Sequence, residues 1–171
     1  MPNQQPKLSN AELTAAALTG IYVSASGHLT MGRKGVPLLA GVPLFSELSR
    51  RHLHRLADLA DTARYPSGRV IVEAGRPGNA FFVLAVGGAK VYRGKLPTGR
   101  PIARFGPGDF FGEMALLDGG PRSATVVADG DVTAIRLTRS AFQKVLKSEP
   151  SIAFGVMREL AARLRKGAAT E

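Results

Sequence analysis

Phe110-Phe111-Gly112-Glu113-Met114-Ala115-Leu116-Leu117-Asp118-Gly119-Gly120-Pro121-Arg122-Ser123-Ala124-Thr125 interrupts a strand-like region, and its reading decides the fold. A strand end at Phe110-Phe111 runs into Gly112. Met114 to Leu117 has the length of about one or two helical turns. The Gly119-Gly120-Pro121 corner stops it, and Arg122 and Ser123 stand where the next strand begins. A helix start offers unpaired backbone N–H groups and a partial positive charge. Gly112 lets an anion come close to the backbone. Arg122 adds a fork of donors suited to phosphate oxygens, and Ser123 a hydroxyl or amide. Glu113 discriminates. A carboxylate repels phosphate but accepts a hydrogen bond from a neutral sugar hydroxyl. One phosphate plus one hydroxyl-bearing sugar describes a nucleotide, and a single arginine suits a monophosphate. A second reading stays open at this point: Glu113 and Arg122 as an ion pair clamping loop to strand.

On both sides of this stretch run short β-type segments: Val70-Ile71-Val72, Phe81-Phe82-Val83-Leu84, Lys90-Val91-Tyr92, Ile102-Ala103-Arg104-Phe105, Thr125-Val126-Val127 and Val132-Thr133-Ala134-Ile135. Gly, Pro, Asp or Asn bounds each, at Gly75, Pro77-Gly78-Asn79, Gly87-Gly88, Pro97-Thr98-Gly99, Pro107-Gly108-Asp109 and Asp129-Gly130-Asp131. Such spacing predicts an antiparallel sandwich or barrel. Before it, Ser49 caps a helix carrying Leu53, Leu56, Ala57 and Ala60 on one face, ending near Ala63. After it, Thr138 caps a helix from Arg139 to Lys147 that buries Phe142, Val145 and Leu146. Pro150 opens a last helix whose apolar stripe is Ala153, Val156, Met157, Leu160 and Leu164. Gly167 can end it.

Residues 110–125 closely resemble the phosphate-binding cassette of the cyclic nucleotide-binding domain family. That cassette reads Phe-Gly-Glu-(Leu/Met)-Ala-Leu, a few variable residues, then Pro-Arg-(Ala/Ser/Thr)-Ala-Thr. Here it is Phe111 to Leu116, then Pro121 to Thr125. The resemblance extends through Leu44-Phe45, Gly68, Glu73-Ala74-Gly75, the Phe81 to Leu84 strand and the closing helices, about residues 41–166. Gly87-Gly88 departs from the Ser-Gly often found at that turn. The fold it implies is mainly β with flanking α: an antiparallel β-roll or jelly-roll barrel (a double-stranded β-helix) with an N-terminal helix and two C-terminal helices. The domain is expected over 41–166, with an extension or linker at 1–40 and a tail at 167–171.

The resemblance also assigns roles. Arg122 would pair with the exocyclic phosphate oxygens and Glu113 would accept the ribose 2′-hydroxyl. Phe111, Gly112, Met114, Ala115 and Ser123 would complete the cradle. Val70, Val72 and Leu84 would line the ribose and base side. A residue between Met157 and Leu164, with Arg158 and Leu160 as candidates, would cover the base. Ser123, familiar from bacterial cAMP-binding transcription factors, favours cAMP over cGMP. The expected function is a cyclic nucleotide-sensing regulatory module with no metal and an unidentified downstream protein partner. The alternatives are a ligand-independent dimerisation or docking module built on the last helix, and an electrostatic binder of nucleic acid or acidic lipid.

Composition bounds the rest. The 171 residues carry 23 Lys+Arg against 13 Asp+Glu, a formal net charge of +10, which suits an anionic ligand. The absence of Cys excludes disulfide scaffolds, thiolate metal sites and cysteine nucleophiles, and fits a reducing, cytoplasmic setting. No apolar run spans a bilayer. The last helix is followed by too little chain for a DNA-reading helix-turn-helix, so no specific DNA binding is expected. The histidines, His28, His52 and His54, make no catalytic or metal constellation, and no enzyme is read. Leu13 to Ala25 is mildly apolar, but Glu12 abuts it. An N-terminal arm with a short helix near Asn10 to Leu18 is expected instead of a signal peptide. Met31 is a possible alternative start.

Overall fold

Two long strands, Ala80–Tyr92 and Thr125–Thr138, form the spine of the molecule in a computed structural model that describes residues 21–23, 29–31, 36–46 and 48–168. In chain order the elements are β1 (Ile21–Val23), β2 (Leu29–Met31), α1 (Val36–Ala40), a 3₁₀ turn (Pro43–Phe45), α2 (Arg50–Leu59), β3 (Asp61–Tyr65), β4 (Val70–Val72), β5 (Ala80–Tyr92), β6 (Ala103–Phe105), β7 (Phe110–Phe111), α3 (Glu113–Asp118), β8 (Thr125–Thr138), α4 (Arg139–Ser148) and α5 (Pro150–Ala168). All pairings are antiparallel. β8 is flanked by β3 and β5, β6 extends β5, β4 pairs with the first half of β8, and β7 with the first half of β5.

Neighbouring residues of β5 feed two separate cores. Phe81, Val83 and Ala85 join the cluster shared with the helices, whereas Ala80, Phe82 and Leu84 face inward between the two halves of the sheet. This is the period of two of a strand buried on both faces. β7 repeats it. Phe110 packs on Phe81 with ring centroids 5.5 Å apart, and Phe111 stacks on Phe82 at 5.1 Å. The helical core closes around Phe81, against Phe45 at 5.7 Å and Phe142 at 6.0 Å.

The sheet rolls at Gly87-Gly88. The sequence reads these as a boundary between two strands, and Asp129-Gly130-Asp131 likewise. Both lie inside single strands, because the chain bends there without reversing. Leu84 faces Ala134 and Val86 faces Thr133, so β5 carries one extra residue there; Gly88 then faces Asp129, so β8 carries two extra residues at the bend. The slip reverses the face parity of β5. Beyond it Ala89 and Val91 point inward, joined by Val126 and Ala128. Gly87 has φ +79, and a Cβ there would meet the Asp131 carbonyl oxygen at 2.3 Å.

The helix expected to reach Ala63 stops at Leu59. Its Ser49 cap is present, accepting from the His52 N–H at 3.3 Å. Asp61–Tyr65 pairs instead with β8, and Arg136 donates to both Asp61 oxygens, at 2.8 and 2.6 Å. Thr138 caps α4 as expected, and Pro150 opens α5. α5 runs through Gly167, its expected stop. His52 Nε2 meets Glu149 at 2.8 Å and ties α2 to the α4–α5 junction.

The expected linker is structured where it is described. β1 and β2 form a hairpin, and α1 buries Val36 and Leu39 in the helical core. The expectations for residues 1–20, 24–28 and 32–35 and for the tail beyond Ala168 lie outside the described residues. The α5 stripe is rotated from its expected face. Ile152 is buried in the core and Leu160 partly so, while Met157 and Leu164 are 54% and 74% exposed. The side chain of Val156 is outside the description. Among the described residues, no helix is long and apolar enough to cross a membrane.

Gly87→Ala combines a left-handed backbone with a backbone collision, and is expected to destabilise the fold by more than about 2 kcal/mol. Gly130→Ala, at φ +82 with open space around it, should cost only about 1 kcal/mol. Urea unfolding followed by circular dichroism checks the difference; equal losses would remove the roll's dependence on Gly87.

Candidate functional site

Phe111 ends the inward stack, and the chain must turn at once to enter α3. Gly112 makes that turn at φ +91. A Cβ here would lie 2.5 Å from the Arg122 Nη1 and 2.8 Å from the Ala80 carbonyl oxygen, so only glycine leaves room for the guanidinium. Gly78 clears the other side, its hypothetical Cβ lying 2.9 Å from the Arg122 Nε and 2.3 Å from the Ala115 Cβ.

The guanidinium in this slot is 8% exposed as a residue. It donates from Nη2 to the Ala80 carbonyl at 2.7 Å and from Nη1 to the Gly112 carbonyl at 3.2 Å, and stands 5.8 Å from the centroid of the Phe82 ring. Burial is the main influence on its pKa and pulls it below the usual guanidinium value. The Glu113 carboxylate works against that shift and the Arg139 cation adds to it. A guanidinium keeps its proton even so. Glu113 is buried at the start of α3, where the helix field favours a carboxylate.

The outgoing limb of the loop is tied to the β4–β5 turn. The Gly75 N–H donates to the Arg122 carbonyl and the Arg122 N–H to the Arg76 carbonyl, each at 2.8 Å. Arg139, the first residue of α4, donates to the carbonyls of Gly78, at 3.2 Å, and Ala115, which fastens α3 from behind. Sequence reading missed Arg139; its only local signal is the position after the Thr138 cap.

These elements enclose a cavity of about 180 Å³. Phe111, Gly112, Glu113, Met114, Ala115, Arg122 and Ser123 line it, together with Val72 from β4. The remaining wall is Val91, Phe105, Ala124 and Val126, which were not singled out in the sequence. For Val91 the signal is strand alternation, readable only once the parity change between Leu84 and Val86 is known. Two expected lining residues are elsewhere. Val70, 38% exposed, borders a neighbouring cleft that Val72 and Arg122 also line, and Leu84 is fully buried and lines neither space. None of the described residues from Met157 to Leu164 lines the cavity either: Arg158 is exposed and Leu160 packs on the helical core.

Chemically, the arrangement offers one buried cation, one buried carboxylate a residue beyond a glycine turn, and an apolar wall made by four strands. Among the described residues no group of three His, Asp or Glu side chains is placed to hold a metal ion.

Residues 62–149, just over half of the chain, match the cyclic nucleotide-binding domain family. The cAMP-dependent protein kinase regulatory subunit of Aspergillus fumigatus is 44% identical over 108 residues, which are 63% of this chain and 26% of that protein. A cyclic nucleotide-gated potassium channel of Mesorhizobium japonicum is 38% identical over 133 residues, 78% of this chain and 36% of the channel. The chain thus spans about a quarter to a third of the length of these relatives. Among solved structures, the Thermus thermophilus catabolite activator protein aligns with a TM-score of 0.68 at 33% identity, covering 75% of this chain and 61% of that one. A cyclic nucleotide-binding domain from Methylobacillus flagellatus aligns at 0.69 and 26% identity, covering 81% and 83%. The matched relatives are fungal as well as bacterial.

Gly112→Ala is expected to expel the Arg122 guanidinium from its slot. The Arg122 Nε resonance in an NMR spectrum should move and stability should fall by about 2 kcal/mol. An unmoved resonance in a folded variant would show that the slot tolerates a methyl group.

Proposed function

The chain belongs to the cyclic nucleotide-binding domain family, and from that premise we propose that its cavity binds a cyclic nucleotide, cAMP in preference to cGMP, as a regulatory module without catalysis. One observation carries the reading: Arg122, Glu113 and an apolar four-strand wall line the same cavity. The guanidinium neutralises the cyclic phosphate, which requires it to exchange its bonds to the Ala80 and Gly112 carbonyls for phosphate oxygens. The backbone amides of Gly112, Met114 and Ala115, with Ser123, complete the cradle. Glu113 accepts the ribose 2′-hydroxyl. Val72, Val91, Phe105 and Val126 take the sugar and base by apolar contact. The name of the fungal relatives supports cAMP. The absence of Cys supports a reducing, cytoplasmic setting, and an effector protein is the natural recipient of the signal.

Calorimetric titration with cAMP and cGMP tests this. Arg122→Lys is expected to weaken cAMP at least tenfold, about 1.4 kcal/mol, because an ammonium cannot reproduce the fork. Glu113→Ala should act in the same direction. Micromolar binding that ignores Arg122→Lys would refute the assignment.

The exposed apolar residues of α5, Phe154, Met157 and Leu164, favour a second reading in which this helix mediates ligand-independent dimerisation or docking. Sedimentation would then show a dimer without nucleotide that Met157→Glu dissociates.

A further inference from the structure

Thr125 closes the cassette, and among the described residues its side chain is wholly buried with three backbone partners from two distant segments. Its hydroxyl accepts from the Ala74 N–H at 3.0 Å. It donates to the Gly94 carbonyl at 2.6 Å, with the Lys95 carbonyl at 3.2 Å. A hydroxyl is suited to this because it accepts and donates at once. Each segment it holds continues a wall of the cavity. Ala74 lies two residues past Val72 and beside Gly75, whose N–H holds the Arg122 carbonyl. Gly94 and Lys95 follow β5, three and four residues past Val91. Val91 in turn receives the Ile102 N–H at 2.8 Å, and Ile102 leads into β6 and Phe105. Thr125 itself sits between Ala124 and Val126, both lining residues.

We propose that the Thr125 hydroxyl is a positioning residue for the nucleotide site: it sets the spacing of the β4, β5 and cassette walls while touching no ligand itself. The inference rests on the functional reading above. Without the hydroxyl, the Ala74 N–H and the Gly94 carbonyl lose a buried partner and the walls part. The hairpin loop from Arg93 to Pro101 loses its link to the cassette. The cavity then meets the sugar and base with a wider, less ordered wall.

The test compares wild type with Thr125→Val, which keeps the shape, and Thr125→Ser, which keeps the hydroxyl. Amide exchange is measured without ligand, and cAMP affinity by calorimetry. In Thr125→Val the amides of Ala74, Gly75 and Ile102 are expected to exchange at least tenfold faster, while those of Val83 and Phe142 in the helical core stay unchanged. Affinity for cAMP should fall at least tenfold, and Thr125→Ser should restore both readouts to within threefold of wild type. Should Thr125→Val fail to fold, Thr125→Ser and Thr125→Ala carry the comparison, since both lose the methyl group and only Ala loses the hydroxyl. Wild-type affinity in Thr125→Val, or acceleration spread equally over Val83 and Phe142, overturns the positioning role alone. A wild type that binds no cyclic nucleotide overturns the functional reading, and this role with it.

Discussion

The bend that β5 and β8 share at Gly87 is the constraint on which the rest of this structure depends. There the Asp131 carbonyl comes so close that the backbone can carry no side chain. A straight ladder would keep Phe82, Leu84 and their successors on one flat face. The bend folds that face over itself, encloses an inward cluster separate from the helical core, and moves Val91 onto the cavity wall. It also brings Asp129 to Lys90 and Arg104, and Asp131 to the Ser67 N–H, so the turned region keeps polar partners at its exposed rim. Those rim contacts are solvent-exposed and worth little singly. Packing inside the roll carries the stability.

Arg122 is where this architecture meets chemistry. Removing a guanidinium from water is costly unless its donors find acceptors. Here two backbone carbonyls and an aromatic face satisfy it while the cavity beside it stays open. Two glycines of unlike backbone conformation make the slot: Gly112 by a left-handed turn, Gly78 by an ordinary one. The cation is therefore preorganised at the cavity edge. In the proposed complex a phosphate would replace carbonyl partners instead of having to order a mobile side chain.

The cassette was legible because its parts are contiguous. From Phe111 to Ser123 the signals are local: a glycine before an apolar turn, a proline corner, then an arginine. Phe110 and Phe111 also read correctly as a strand end. The walls were less legible. Val72 was chosen from its strand and lines the cavity; Leu84, chosen by the same reasoning, does not. Val91, Phe105 and Val126 were passed over because inward parity cannot be carried across a bulge whose register is unknown. The α2 boundary failed for a related reason. Leu53, Leu56, Ala57 and Ala60 continue smoothly toward Ala63 at helical spacing, yet Asp61 has its partner in Arg136, 75 residues away. In α5 the stripe read from Ala153 to Leu164 is not the buried face, because apolar residues lie on more than one side of the helix: Ile152 is buried while Met157 and Leu164 are exposed.

Sequence alone determined the glycine-turn loop that leads from Gly112 to Arg122, the strand-rich centre with helices at both ends, and the caps at Ser49 and Thr138. Each of these is set by residues within a few positions of one another, where backbone geometry and side-chain chemistry suffice. Tertiary structure alone decided the bend at Gly87, the rotation of α5, the Arg139 anchor and the buried hydroxyl of Thr125. Those depend on which distant carbonyl or ring comes into contact, and the chain meets such partners only when the two halves of the sheet close on each other.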